Sequence, residues 1–288
     1  MRRIAVQIII IQLTFTVTQL FGWGYDVHRR ITRSAVQAVH GEFGDFLIQN
    51  IEDLSYHAAD PDFWKAADPN EGYRHFIDAD LYDEYPFDNI PRNIDSLYSK
   101  YGEANISNFG IAPWNIDDYC NRLTELFSAG QWEESIYKMA ALSHYVADIH
   151  MPLHTCANYN GQLTGNKGVH FHWETPMVMQ YVTYIEPLNK AVVFSSPLEM
   201  AFEIVKESYE LYPLLISADS LARAPLTKIQ ADSLNTYEKL SFEDEYLSVL
   251  YAQTSEVVHD RLNKSAERIA SYWYTCWAKA GSPAISKK

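Results

Sequence analysis

Cysteine is scarce in this 288-residue sequence. Cys120, Cys156 and Cys276 allow at most one intramolecular disulfide and leave a thiol over, so this is not a sulfur-stapled scaffold. Basic residues are also short, with 23 Lys and Arg against 37 Asp and Glu and a formal charge of −14. A chain of that balance does not hold polyanions by bulk attraction, which excludes long double-stranded nucleic acid as a partner. There is no glycine pattern of the dinucleotide or P-loop kind, no internal repeat, and no alternation of apolar and polar residues long enough for a sheet. No serine or cysteine triad is apparent. Long apolar runs are confined to the N-terminus.

There, Arg2 and Arg3 precede an apolar stretch over residues 4–17 and a short segment ending in Leu20, Phe21 and Gly22. The pattern predicts a secretory signal peptide over residues 1–22, since the stretch is too short for a comfortable membrane span. A cut after Gly22 leaves residues 23–288 as one large domain, secreted or periplasmic, with no permanent membrane anchor. Losing Arg2 and Arg3 leaves 21 basic residues against 37 acidic ones and a formal charge of −16.

Helical periodicity dominates the rest, and the expected fold is an all-α, multi-helix single domain. Helices are expected over residues 23–50, 116–129, 132–148, 169–184, 196–220 and 242–280, the last stopped by Gly281. Residues 81–114, rich in Tyr, Pro, Asn and Asp, read as a surface excursion with one helical patch at 94–101, and residues 223–241 as an irregular connector.

What stands out is H-Y-V-A-D-I-H-M-P-L-H, then a polar loop, then G-V-H-F-H-W-E. His144 and Asp148 are four residues apart, as are His170 and Glu174, so each pair projects from one helix face. His154 falls just past Pro152, where a helix must end or bend. Imidazole nitrogens and carboxylate oxygens converging in this way suit zinc. Upstream, His28, Asp60 and His75 are further candidates. Singly, each is as well explained by a turn carboxylate or a histidine bonded to a carbonyl. His150 and His172 adjoin the cluster as candidate outer partners.

The order W-G-Y-D-V-H, A-A-D, R-H-F-I-D, S-H-Y-V-A-D-I-H-M-P-L-H and H-F-H-W-E resembles the superfamily of bacterial zinc-dependent phospholipases C and fungal-type zinc single-strand nucleases. The resemblance covers most of residues 23–288 and implies that superfamily's fold and three Zn²⁺ ions. It puts Asp60, His75, His144 and a bridging Asp148 on the first zinc, and His154, His170 and Glu174 on the second. The third takes His28, Asp148 and the freed amine and carbonyl of Trp23. It also implies hydrolysis of a phosphate ester by metal-activated water, with Asp60 orienting that water or accepting its proton.

Glu174 as last ligand and the short loop from His154 to His170 resemble the phospholipases. The close spacing of His28 to Trp23 resembles the nucleases. The expected activity is therefore a phospholipase C-type phosphoric diester hydrolase acting on a phospholipid head group. The alternatives are a single-strand nuclease or 3′-nucleotidase on the same site, and a non-catalytic zinc-binding surface protein. Asn158, Tyr159 and Asn160 in the polar loop are candidate substrate contacts. Phe63, Trp64, Tyr73, Tyr82, Tyr85, Phe87 and Trp114 are aromatics near the expected mouth, although core packing also accounts for such rings.

Overall fold

The computed structural model describes residues 23–285 apart from 188 and 237. The expected signal peptide lies outside the described residues. The chain is all-α as expected, with no strand among the described residues. The first helices are α1 (Tyr25–Val36), α2 (Gly41–Gln49), α3 (Ile51–His57), α4 (Asp60–Trp64), α5 (Ala79–Tyr82), α6 (Ile94–Tyr101) and α7 (Glu103–Phe109). Then come α8 (Ala112–Ser128), α9 (Trp132–Asp148), α10 (Val169–Glu174) and α11 (Pro176–Tyr181). The last four are α12 (Pro197–Tyr209), α13 (Tyr212–Arg223), α14 (Lys228–Ser233) and α15 (Glu243–Lys279). Among the described residues no helix is long and apolar enough to cross a membrane.

Helix α9 is the spine. Ile136, Met139, Ala140, Ser143 and Ala147 form a buried stripe, with Trp132 half-buried at its start, and α1, α3, α8 and α15 all pack on it. Small residues let the neighbours approach closely, and the Ser143 and Thr32 hydroxyls meet at 2.9 Å between α9 and α1. Two buried indoles satisfy their N–H groups on α9 carbonyls, Trp23 on Ala147 at 2.8 Å and Trp273 of α15 on Met139 at 3.0 Å. Each such ring removes a large apolar area from water, a gain on the order of 2–3 kcal/mol. Helix α15, about 55 Å long at the standard rise, runs beneath α1, α8, α9, α11 and α13.

Several expected helices are divided. The 23–50 segment breaks after Val36 and restarts at Gly41, whose φ is +74°. The 169–184 segment breaks at Thr175 and the 196–220 segment before Tyr212, because Pro176 and Pro213 lack the amide that would carry the helix through. The 223–241 connector contains α14, opened by a Thr227/Gln230 capping box. Residues 81–114 are more than a surface excursion: Phe87, Ile90, Leu97 and Ile106 are buried in the main core. All three cysteines are free.

Candidate metal centre

Among the described residues three buried triads lie side by side: Asp62, His75 and His144; His28, His144 and Asp148; and His154, His170 and Glu174. Within each triad the ligand atoms lie within 4.8 Å of one another. The first two share His144.

The backbone accounts for the placement. His144 and Asp148 stand one turn apart at the C-terminal end of α9, with His144 Nε2 3.3 Å from Asp148 Oδ2. The helix stops there, and Pro152 opens a 3-10 turn over Pro152–Thr155 that carries His154 into the cluster. A reciprocal pair of bonds fixes this turn to the segment after His75: the Ile77 amide donates to the His154 carbonyl at 2.9 Å, and His154 Nδ1 donates to the His75 carbonyl at 3.1 Å. Gly168 then starts α10 with φ +98°, and a Cβ there would lie 2.0 Å from the Leu234 carbonyl oxygen, so only glycine lets the chain turn this close to Leu234. On α10, His170 Nε2 lies 3.0 Å from Glu174 Oε2. His28, on α1, stacks its ring on His144 with centroids 3.8 Å apart.

Hydrogen bonds to carbonyls determine which nitrogen carries the proton in His144, His154 and His170. A carbonyl only accepts, so His144 donates Nδ1–H to Ala58 O at 2.8 Å, His154 to His75 O, and His170 to Tyr159 O at 3.0 Å. His75 has a carboxylate at each nitrogen, Glu71 Oε1 3.2 Å from Nε2 and Asp148 Oδ2 2.8 Å from Nδ1, and a cation at Nδ1 would leave Nε2–H to donate to Glu71. In the neutral His144, His154 and His170 rings the other nitrogen is a lone pair, and the inner nitrogens face one another. His154 Nε2 and His170 Nε2 are 3.0 Å apart, as are His144 Nε2 and His75 Nδ1. Asp148 sits between the groups, with Oδ2 2.8 Å from His75 Nδ1 and Oδ1 3.4 Å from His28 Nε2 and 3.8 Å from His154 Nδ1. Both His28 nitrogens, Asp62 Oδ2, Asp148 Oδ1 and Glu174 Oε2 are buried without a hydrogen-bond partner. Such a set of converging, unpartnered polar atoms, carboxylate oxygens and an imidazole lone pair among them, is unfavourable unless cations stand there, so the residues fit divalent metal.

The electrostatics agree. Burial, with help from His144, lowers the His28 ring to about 4, and burial lowers His154 to about 3, so both stay neutral as metal ligands must. Burial would lower His144 and His170 too, but Asp148 and Asp62 raise the first and Glu174 the second. Burial pushes Glu174 up to about 7. Against the same burial, His144 and His154 hold Asp148 well below the usual carboxylate range. Bound cations would supply the positive charge that protons otherwise bring to this pocket.

The sequence expectation needs one correction at its centre. Asp60 does not enter the cluster. It opens α4 and lies 2.6 Å from His57 Nδ1 with its side chain 32% exposed. Asp62, a half-turn later and buried, faces His75 and His144 at 3.8 and 3.7 Å instead, its Oδ1 also paired with Lys65. The role of orienting a nucleophilic water therefore does not fit Asp60. Of the candidate substrate contacts, Asn158 bonds to Leu163 and Thr164 within its own loop, Asn160 accepts the Gly168 amide on Oδ1, and Tyr159 holds His170 through its carbonyl. His150 and His172 bond to the Val146 and Gly168 carbonyls and orient no ligand. Trp23 packs its ring on Trp173, with centroids 5.3 Å apart, and donates to the Ala147 carbonyl. Of the seven aromatics near the expected mouth, Tyr82, Phe87 and Trp114 are buried in the core, while Phe63, Trp64 and Tyr85 are exposed.

The model of the family described as zinc dependent phospholipase C matches residues 27–231, well over half of the chain and a span that includes every residue of the three triads. No curated protein matches the chain.

Proposed function

The chain belongs to the zinc-dependent phospholipase C family, and from that premise we propose that it is an extracytoplasmic phosphoric diester hydrolase acting on a phospholipid head group. The observation that carries the reading is the convergence of buried imidazole and carboxylate groups in three adjoining triads, several of their atoms without a hydrogen-bond partner.

In this reading Asp62, His75, His144 and Asp148 would hold one zinc, and His154, His170 and Glu174 a second. His28 and Asp148 would hold a third, with the amine and carbonyl that cleavage after Gly22 would free at Trp23. Bound zinc supplies positive charge for a phosphodiester and lowers the pKa of water to about 7. The chain does the rest. Asp148, between the triads, spaces the ligands of neighbouring ions. The Ala58, His75 and Tyr159 carbonyls keep His144, His154 and His170 in the tautomer that presents a lone pair inward. Burial of the cluster keeps bulk water from competing with the phosphate for positive charge. In this reading Asp62, its Oδ1 facing His75 and His144 and its Oδ2 without a partner, would orient an attacking water.

The test is an assay of the mature protein against phosphatidylcholine, single-stranded DNA and 3′-nucleotides, with and without chelator. Chelator-sensitive release of phosphocholine is the expected result. Preference for DNA or 3′-nucleotides would move the assignment to the nuclease branch. No turnover by zinc-loaded protein would leave a non-catalytic zinc-binding protein, and chelator-insensitive turnover would sink the mechanism.

A further inference from the structure

Among the cluster histidines with a hydrogen-bonded outer nitrogen, His75 alone is held by a side chain. Glu71, four residues earlier and 1% exposed, accepts His75 Nε2–H on Oε1 at 3.2 Å. The same oxygen accepts the Tyr145 hydroxyl from α9, and Oε2 accepts Arg74 Nη1 at 2.6 Å. The carboxylate is thus oriented from three sides. We infer that Glu71 is the positioning residue for His75: it holds the imidazole in the tautomer and orientation that present Nδ1 to the metal shared with Asp62, His144 and Asp148. This rests on the zinc reading above.

A plain ion pair with Arg74 would not require this arrangement. Arg74 already has Asp68 Oδ2 at 3.0 Å, in a more exposed position where a charge costs little. Burying a carboxylate is expensive unless its oxygens are used, and Oε1 is used entirely on His75 and Tyr145. A carboxylate is also a stronger acceptor than the main-chain carbonyls behind His144, His154 and His170, and so makes His75 the more basic donor to a cation.

The test is zinc affinity, read by competition with a chromophoric chelator, together with the visible absorption of the cobalt-substituted protein. Glu71→Gln removes the charge and keeps the shape. It should weaken one bound metal about 10- to 100-fold and shift the cobalt bands while the remaining affinity is unchanged. Glu71→Asp keeps the charge beside Arg74 but shortens the reach to His75, so the same selective loss is expected, and this variant decides the matter if the glutamine form fails to fold. Wild-type affinity for every metal in a folded variant, or uniform weakening of all of them, overturns the inference while leaving the zinc reading in place. A wild-type protein that takes up no zinc overturns both.

Discussion

His144 and His150 lie near the end of the same helix, and His170 and His172 lie on the same short one, yet each pair divides between the cluster and its flank. All four rings are buried. All four donate Nδ1–H to a main-chain carbonyl, those of Ala58, Val146, Tyr159 and Gly168. The difference is in what Nε2 meets. For His144 and His170 it is carboxylate oxygens together with another ring's nitrogen. For His150 it is the Arg268 guanidinium at 3.5 Å, a donor that a neutral ring satisfies without metal. For His172 it is the Glu243 carboxyl at 3.3 Å, with no third ligating group close enough to make a triad among the described residues. Residue type, burial and the first hydrogen bond are therefore shared by metal-competent and structural histidines. The chemistry of the second nitrogen separates them.

The strongest way to break this comparison is to remove a cluster ring. His154→Ala should leave a folded protein with reduced zinc content and turnover lowered by more than about 100-fold, beyond the range of outer-shell partners. Zinc by atomic absorption beside the activity assay reads both, and unchanged stoichiometry would remove His154 from the ligand set. The two aspartates of α4 sharpen the comparison next. Asp62→Asn should lose one zinc and at least about 10-fold in activity, whereas Asp60→Asn, at a half-open His57 pair, should keep full zinc content. The opposite ranking would restore Asp60 to the site. On the flank, His150→Phe leaves the Val146 carbonyl without its Nδ1–H donor, so a loss of about 1–3 kcal/mol in denaturant unfolding is expected with zinc retained. Loss of zinc without loss of stability would show that the two classes of histidine are not distinct.

How far the chain could be read in advance follows the range of the forces involved. His144 with Asp148, and His170 with Glu174, were legible because a single helical turn sets each pair, and the turn at Pro152 was legible because proline acts locally. The all-α class followed from the same periodicity. The exchange of Asp62 for Asp60 was not legible. Both lie in one D-P-D stretch, and which of them faces inward depends on how α4 packs on α9. Glu71 carried only part of a signal: it stands four residues before His75, but a 3-10 turn separates them, and the Tyr145 hydroxyl that also holds it comes from 74 residues away. Asn158 and Asn160 read as candidate substrate contacts because polar loop residues often are. Their partners inside the loop depend on its closure at Gly161 and Gly168, both at positive φ.

The comparison extends from histidines to carboxylates, with a smaller effect expected. Asp148 is buried among imidazoles and is held far below the ordinary range, whereas Asp78 is buried with Oδ1 unpartnered and is pushed up to about 8 by burial, with help from Asp80. A carboxyl whose folded pKa lies above its unfolded value binds more protons in the folded state. Stability therefore falls as pH rises from about 4 to about 8 and levels off beyond. Asp78→Asn abolishes the charge and should flatten that slope. The variant should match wild type near pH 4 and exceed it at pH 9 by on the order of 1 kcal/mol, allowing for dielectric relaxation around the site. Thermal melts of both proteins without added metal, across this range, would read the gap. Parallel curves would mean that Asp78 finds a counter-charge in solution, and that isolation from the histidines is not what sets it apart from Asp148.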